Sequence, residues 1–182
     1  LASTHPAASV RIHAALWLAE QAQEGGDLTR AASYLADVPA RLSGLNASPD
    51  HPLALGKLAP SIALPDLHDP RRMHALHDRE RPLLVMIWSP WCGMCKHDIP
   101  WWALAHRRFG ERLDFLVIAT AATRDEVLEQ LGEQPLVGEI AMLDNEDLQE
   151  GLTQQWACPS TPQVLLLDRE GRVRAGTRSL QG

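Results

Sequence analysis

The chain has 182 residues, 45% of them hydrophobic, and a formal net charge of −6 from 17 basic and 23 acidic side chains. That length supports one ordinary domain with an appendage and ample core, and no run approaches the roughly eighteen apolar residues of a membrane span. A net acidic chain whose basic residues cluster no further than pairs such as Arg71-Arg72 is not built to hold a polyanion, so nucleic acid is excluded as a partner.

Taken in order, residues 1–46 read as an N-terminal helical hairpin. Ser9 caps a helix over Val10–Glu24, with Ile12, Leu16 and Ala19 on one stripe and Gly25-Gly26 as its stop. A second helix starts near Asp27 or Thr29 and runs past Leu35 toward Pro39, presenting Leu28, Ala31, Ala32 and Leu35. The pair is similar to a single tetratricopeptide-type unit. One such unit is marginal alone, so it is expected to pack on other protein rather than to act as a dedicated partner-binding element. Residues 47–60, with Pro49, Pro52 and Pro60, read as a linker.

Residues 61–182 form the main domain. Ser61 to Leu67 alternates weakly and reads as a strand, followed by a hairpin-like turn through His68-Asp69-Pro70. His68, His74 and His77 raise the question of metal, since His74 and His77 stand three apart. No helix is legible from Arg71 to Arg79 and no third ligand has a motif, so all three read as solvated turn histidines. From Pro82 the pattern is strand, helix, strand, helix, strand, helix, strand, strand. Leu83 to Ile87 is a buried strand, a helix runs from Cys92 to about Phe109 with a kink at Pro100, and Leu113 to Ala119 is the next strand. Thr123 and Glu126 make a capping box for a helix to Leu131, Ile140 to Asp144 is a short strand, and Asn145 caps a helix to about Trp156. A final hairpin, Val164–Asp168 and Arg172–Arg178, turns at Arg169-Glu170-Gly171. Alternation of this kind implies parallel strands with helices on both faces.

The stretch Trp88 to Pro100 carries the chemistry. Cys92 and Cys95 stand three apart on the first turn of a helix that follows a strand, close enough for their sulfurs to meet. A helix N-terminus stabilises a thiolate at Cys92, which then attacks disulfides, and Cys95 resolves the mixed disulfide. The alternatives are a structural bridge or a copper or zinc carrier using Cys92, Cys95 and His97, since thiolate pairs suit soft metals. Zinc sites usually need a second pair, and only Cys158 remains of the three cysteines. Cys158 reads as a small buried hydrophobe, and a role for it in regulation is the sharper alternative. Trp91 and Trp88 flank the dithiol, Trp91 as an apolar docking surface and Trp88 as core.

The run Trp91-Cys92-Gly93-Met94-Cys95-Lys96, with Pro100 eight residues after the first cysteine, resembles the thioredoxin superfamily. Ser160-Thr161-Pro162-Gln163-Val164 matches its cis-proline segment, and Leu58 to Leu67 is similar to the opening of the TlpA/ResA-like branch, whose members are mostly extracytoplasmic. The resemblance runs from about residue 53 to the C-terminus. It implies a thioredoxin-like α/β fold: a central mixed sheet, helices on both faces, preceded here by the helical hairpin. It further implies thiol–disulfide exchange with protein clients, an upstream thiol donor, no cofactor or resident metal, and a periplasmic or otherwise extracytoplasmic location. A signal peptide or membrane anchor, absent from a chain that begins at Leu1, is expected outside it. The superfamily's usual last helix has no counterpart before Gly182; it is either dispensed with or lies beyond the sequence in hand.

By the same resemblance, Trp91, Gly93, Met94, Thr161 and Pro162 face the client. Gly93 and Met94 lack a cation, which places the pair nearer thioredoxin, at about −270 mV, than DsbA, at about −120 mV. Thioredoxin's buried Asp six residues before the first cysteine is Met86 here. The branch's helix acid, six residues after that cysteine, is Asp98, which is expected to accept the proton of Cys95 or else to be an ordinary surface acid. A peroxiredoxin is excluded, since its motif requires proline where Val85 stands.

Overall fold

The computed structural model describes residues 50–158 and 160–177. The helical hairpin read over residues 1–46 and the first part of the linker therefore lie outside the described residues, as does the chain after Thr177.

Among the described residues five strands and three helices alternate as β1 (Leu83–Trp88), α1 (Gly93–Phe109), β2 (Asp114–Ala119), α2 (Arg124–Glu133), β3 (Glu139–Met142), α3 (Glu146–Trp156), β4 (Gln163–Leu167) and β5 (Val173–Thr177). The sheet order is β3-β2-β1-β4-β5. β1 runs parallel to β2 and β2 to β3, whereas β4 is antiparallel to both β1 and β5. The sheet is thus mixed, and β1 lies at its centre.

A central strand is covered on both faces, which is why β1 reads as an unbroken apolar run rather than an alternating one. Leu83, Val85 and Ile87 share one face with Leu116, Ile118, Leu165 and Leu167, and meet Leu152 and Trp156 of α3. Met86 and Trp88 point the other way, among Val117, Ala119, Trp102, Phe109 and Val127, beneath α1 and α2. Trp88, Trp102 and Trp156 are all fully buried, and truncating any of them to Ala should cost about 3–5 kcal/mol. The expected caps form: Thr123 and Glu126 make the reciprocal box on α2, and the Asn145 side chain accepts from the Leu148 N–H to open α3. The last hairpin turns at Gly171, whose φ of 87° suits glycine and where a Cβ would collide with the His77 ring.

Residues 53–60 contribute to the core from within the stretch read as a linker. Leu53 and Ala59 are fully buried, Val173 N–H donates to Lys57 O, and the Trp156 indole donates to Pro60 O at 2.8 Å.

Two expectations need correction. Ser61 to Leu67 is not a strand; it makes only isolated bridges, Pro65 to Met73 and Asp66 to Ala141. Pro60 and Pro65 bring no N–H to a ladder, and the Asp66 carboxylate takes the N–H groups of His68 and Asp69, turning the chain instead. Nor are the turn histidines all solvated. His68 is exposed, but His77 hydrogen-bonds Ala59 O at 2.7 Å, and His74 is buried between two carboxylates. Its Nε2 lies 2.9 Å from Asp66 Oδ2 and its Nδ1 3.0 Å from Glu139 Oε2. Arg79 continues this network to Glu139 and Asp114, and Arg81 closes it on Asp114. The network ties the 64–81 segment to the starts of β2 and β3.

Candidate active site

β1 delivers the chain to its C-terminal end at Trp88, and a tight turn through Ser89-Pro90-Trp91 follows, closed by Cys92 N–H donating to Ser89 O at 3.1 Å. Cys92 is then the N-cap of α1, with extended backbone angles, and its Sγ accepts from the Cys95 N–H at 3.2 Å. A sulfur thus takes the capping role usually filled by an oxygen. It sits where the first N–H groups of the helix have no intrahelical partner and the helix dipole is positive, a place that favours a thiolate. No acidic side chain lies in the first turn of α1 to oppose that charge.

Cys92 and Cys95 form a disulfide across a Cα–Cα distance of 5.2 Å. Cys92 is half-buried and Cys95 fully buried, so of the two sulfurs Cys92 is the more exposed. One turn further on, Asp98 is also 0% exposed, in contrast to the surface-acid alternative. Met86, at the place of thioredoxin's strand acid, is an apolar part of the core beneath α1.

The Thr161–Pro162 peptide bond is cis. Gln163, the next residue, pairs with Ile87, one residue before the end of β1. Pro162 is therefore brought to the edge of the sheet from which the dithiol loop departs. Pro162 is buried, Thr161 half-buried, and Gly93 exposed. Around the pair, Trp91 is 68% and Met94 57% exposed. Trp88 is core as expected, with its indole N–H unpartnered. Cys158 is a buried cysteine outside the disulfide, and its Sγ lies 3.8 Å from Ser160 O.

Sequence reasoning did not reach the ionic cluster at the other end of the sheet. There the hydrogen bond from His74, opposed by burial and aided by Arg79, holds the Glu139 carboxyl down at about 2. Asp66 is lowered too: burial pushes it up, but the N–H groups of Asp69 and His68 and the His74 ring outweigh that. A cleft of about 450 Å³ opens at this end, lined in part by Arg72, His106 and Glu139. Exchange with a protein disulfide does not require a cavity, because the partner's sulfur must reach an exposed Sγ.

No protein-family model matches the chain. It is 32% identical over 132 residues to a thiol:disulfide interchange protein DsbE of Xylella fastidiosa strain 9a5c, across 70% of this chain and 62% of that protein. The chain thus spans somewhat under two thirds of the length of that curated relative. The thioredoxin domain of a thiol-disulfide oxidoreductase from Bacteroides vulgatus superposes with a TM-score of 0.62 at 19% identity, over 71% of this chain and 92% of that one. A thiol:disulfide interchange protein from Bacteroides sp. gives 0.62 at 21%, over 69% and 82%. With the sheet order, the capping Cys-x-x-Cys pair and the cis-proline in place, the chain has the thioredoxin fold.

Proposed function

We propose that the protein is a thiol–disulfide oxidoreductase that exchanges with protein disulfides, most effectively as a reductant, outside the cytoplasm. The observation that carries this reading is the Cys92–Cys95 pair, one sulfur half-buried at a helix N-terminus and the other shielded. The interchange-protein name of the Xylella relative and the extracytoplasmic habit of the resembling branch support the reaction class and the location.

In the reducing direction, the Cys92 thiolate attacks one sulfur of the client disulfide. That S–S bond breaks, the client's other sulfur leaves as a thiolate and takes a proton from water, and a mixed disulfide joins Cys92 to the client. Cys95 loses its proton to Asp98, one turn away on the buried face of α1, and its sulfur attacks Cys92 Sγ. The second client sulfur departs reduced. The client has gained two electrons, the protein holds the Cys92–Cys95 disulfide, and an upstream thiol donor must restore the dithiol. Trp91, Gly93 and Met94 form the apolar approach to Cys92, while Thr161 and Pro162 present backbone to the client's extended chain.

The test is turnover of a protein disulfide such as that of insulin, with the reduction potential measured alongside. A potential near that of thioredoxin, at about −270 mV, with turnover lost in Cys92→Ser, is expected. A potential near about −120 mV would make the protein an oxidant, and undiminished turnover in Cys92→Ser would remove the reading altogether.

A further inference from the structure

The outward face of α1 joins exposed apolar side chains to cationic ones. Pro100, Leu104 and Arg107 follow one another at helical spacing, as do His97, Trp101, Leu104 and Arg108, while Cys95, Asp98, Ile99, Trp102, Ala105 and Phe109 take the buried side. Trp101 and Leu104 are each 39% exposed, extending the apolar surface of Trp91 and Met94 down the helix. At 1.5 Å per residue, Leu104 lies roughly 18 Å along the axis from Cys92. Beside His97, the polar residues of this strip are the cations Lys96, Arg107 and Arg108. Lys96, Arg107 and Arg108 make no ion pair among the described residues, whereas Arg79, Arg81, Arg124 and Arg174 each have a carboxylate partner. The one carboxylate of α1, Asp98, is buried. An apolar stripe edged with cations that pair with no carboxylate among the described residues therefore lies on the helix that carries the dithiol, in a chain whose net charge is −6.

Surface charge of one sign beside a reactive group raises the local concentration of oppositely charged partners and speeds their encounter. Apolar side chains exposed in the same strip supply the area that holds the partner once it arrives. Resting on the exchange reading above, we infer that this outward face of α1 selects the protein's redox partner, and that the partner is a polypeptide presenting acidic and apolar residues beside its disulfide. The strip begins at the nucleophilic sulfur, so a polypeptide whose disulfide sits at Cys92 lies along it without leaving the surface.

Two synthetic peptides with the same apolar core and one disulfide, flanked by Asp and Glu in one and by Lys in the other, test this with the reduced full chain. Each reduced peptide gains two electrons, and the chain ends as its Cys92–Cys95 disulfide, so no further reactant is needed. At low salt the acid-flanked peptide is expected to react about tenfold faster or more, within the range that electrostatic steering supplies. The preference should shrink on raising salt to about 0.5 M, where the screening length falls to a few ångströms. The triple variant Lys96→Glu/Arg107→Glu/Arg108→Glu should invert it, and Leu104→Ser should slow both peptides alike. Equal rates for the two peptides at low salt would overturn the inference while leaving the exchange reading intact; no reaction with either peptide or with hydroxyethyl disulfide would instead defeat the exchange reading. Sedimentation with phosphatidylglycerol vesicles completes the test. Vesicle binding together with equal peptide rates would assign the strip to a lipid surface and overturn the proposal.

Discussion

The two ends of the sheet make opposite use of polar groups. At the starts of β2 and β3, His74, Arg79 and Arg81 are each matched to carboxylates of Asp66, Asp114 and Glu139. At the far end, Trp88 holds an unpartnered indole N–H, a buried Asp98 lies one turn beyond Cys95, and Trp91 stands 68% exposed. The first arrangement locks a loop onto the core, because a buried charge is tolerable only when paired and hydrogen-bonded. The second leaves a sulfur partly exposed at a helix N-terminus and buries a carboxylate one turn beyond its partner, an arrangement that stability does not call for. The comparison predicts that mutations at the first end alter folding and leave exchange alone, and that the reverse holds at the second.

The largest effect on stability is expected from His74→Ala. It leaves Asp66 and Glu139 facing a void without their shared partner, and breaking such a pair from one side should cost about 3 kcal/mol. Urea unfolding would measure this, and insulin-reduction rates measured well below the transition should stay within about twofold. A stable His74→Ala protein would mean that Arg79 alone holds Glu139.

At the reactive end, Asp98→Asn keeps the shape and removes the base. Resolution of a trapped mixed disulfide is expected to slow by about a hundredfold at neutral pH, the lower range for general-base assistance, with little change in the unfolding midpoint. Stopped-flow kinetics decide it: equal rates and equal pH profiles would reduce Asp98 to a packing residue.

Acid sharpens the comparison from the other side. Glu139 falls from its ordinary 4.5 to about 2 on folding, through its hydrogen bond from His74. A carboxyl with a depressed folded value contributes stability that is fully present above the unfolded value and is lost as pH falls through the folded one. The domain should therefore lose thermal stability between about pH 4.5 and 2, with Asp66 acting in the same direction. Calorimetry on Glu139→Gln should show a shallower acid decline, and an unchanged decline would place the acid sensitivity elsewhere.

The smallest effect should come from Cys158→Val. The thiol is 5% exposed, and replacing it by a branched apolar side chain of similar volume should change stability by less than about 1.5 kcal/mol and turnover hardly at all. A large loss of turnover would give Cys158 a part in the chemistry.

The sequence alone determined the elements whose signals are local. The apolar run of β1, the Thr123–Glu126 box, the Asn145 cap and the Gly171 turn are each a few adjacent residues whose chemistry admits little else, and each lies where it was expected. The Cys-x-x-Cys spacing likewise brought the two sulfurs together at the start of α1, Cys92 as its N-cap and Cys95 in its first turn. What only the tertiary structure decided depends on partners distant along the chain. His74 looked like one solvated histidine among three, and it is buried because Glu139 reaches it from 65 residues away. Ser61 to Leu67 looked like a strand and is none, because its backbone bonds are divided between two neighbours as isolated bridges, to Met73 and to Ala141, instead of forming a ladder with one. Asp98 could be read as a proton acceptor or as a surface acid, and it is buried on the face of α1 that also carries Cys95 and Trp102 into the core. Period and spacing assign a residue to a face of its element; which face meets protein and which meets water is settled only when the elements pack.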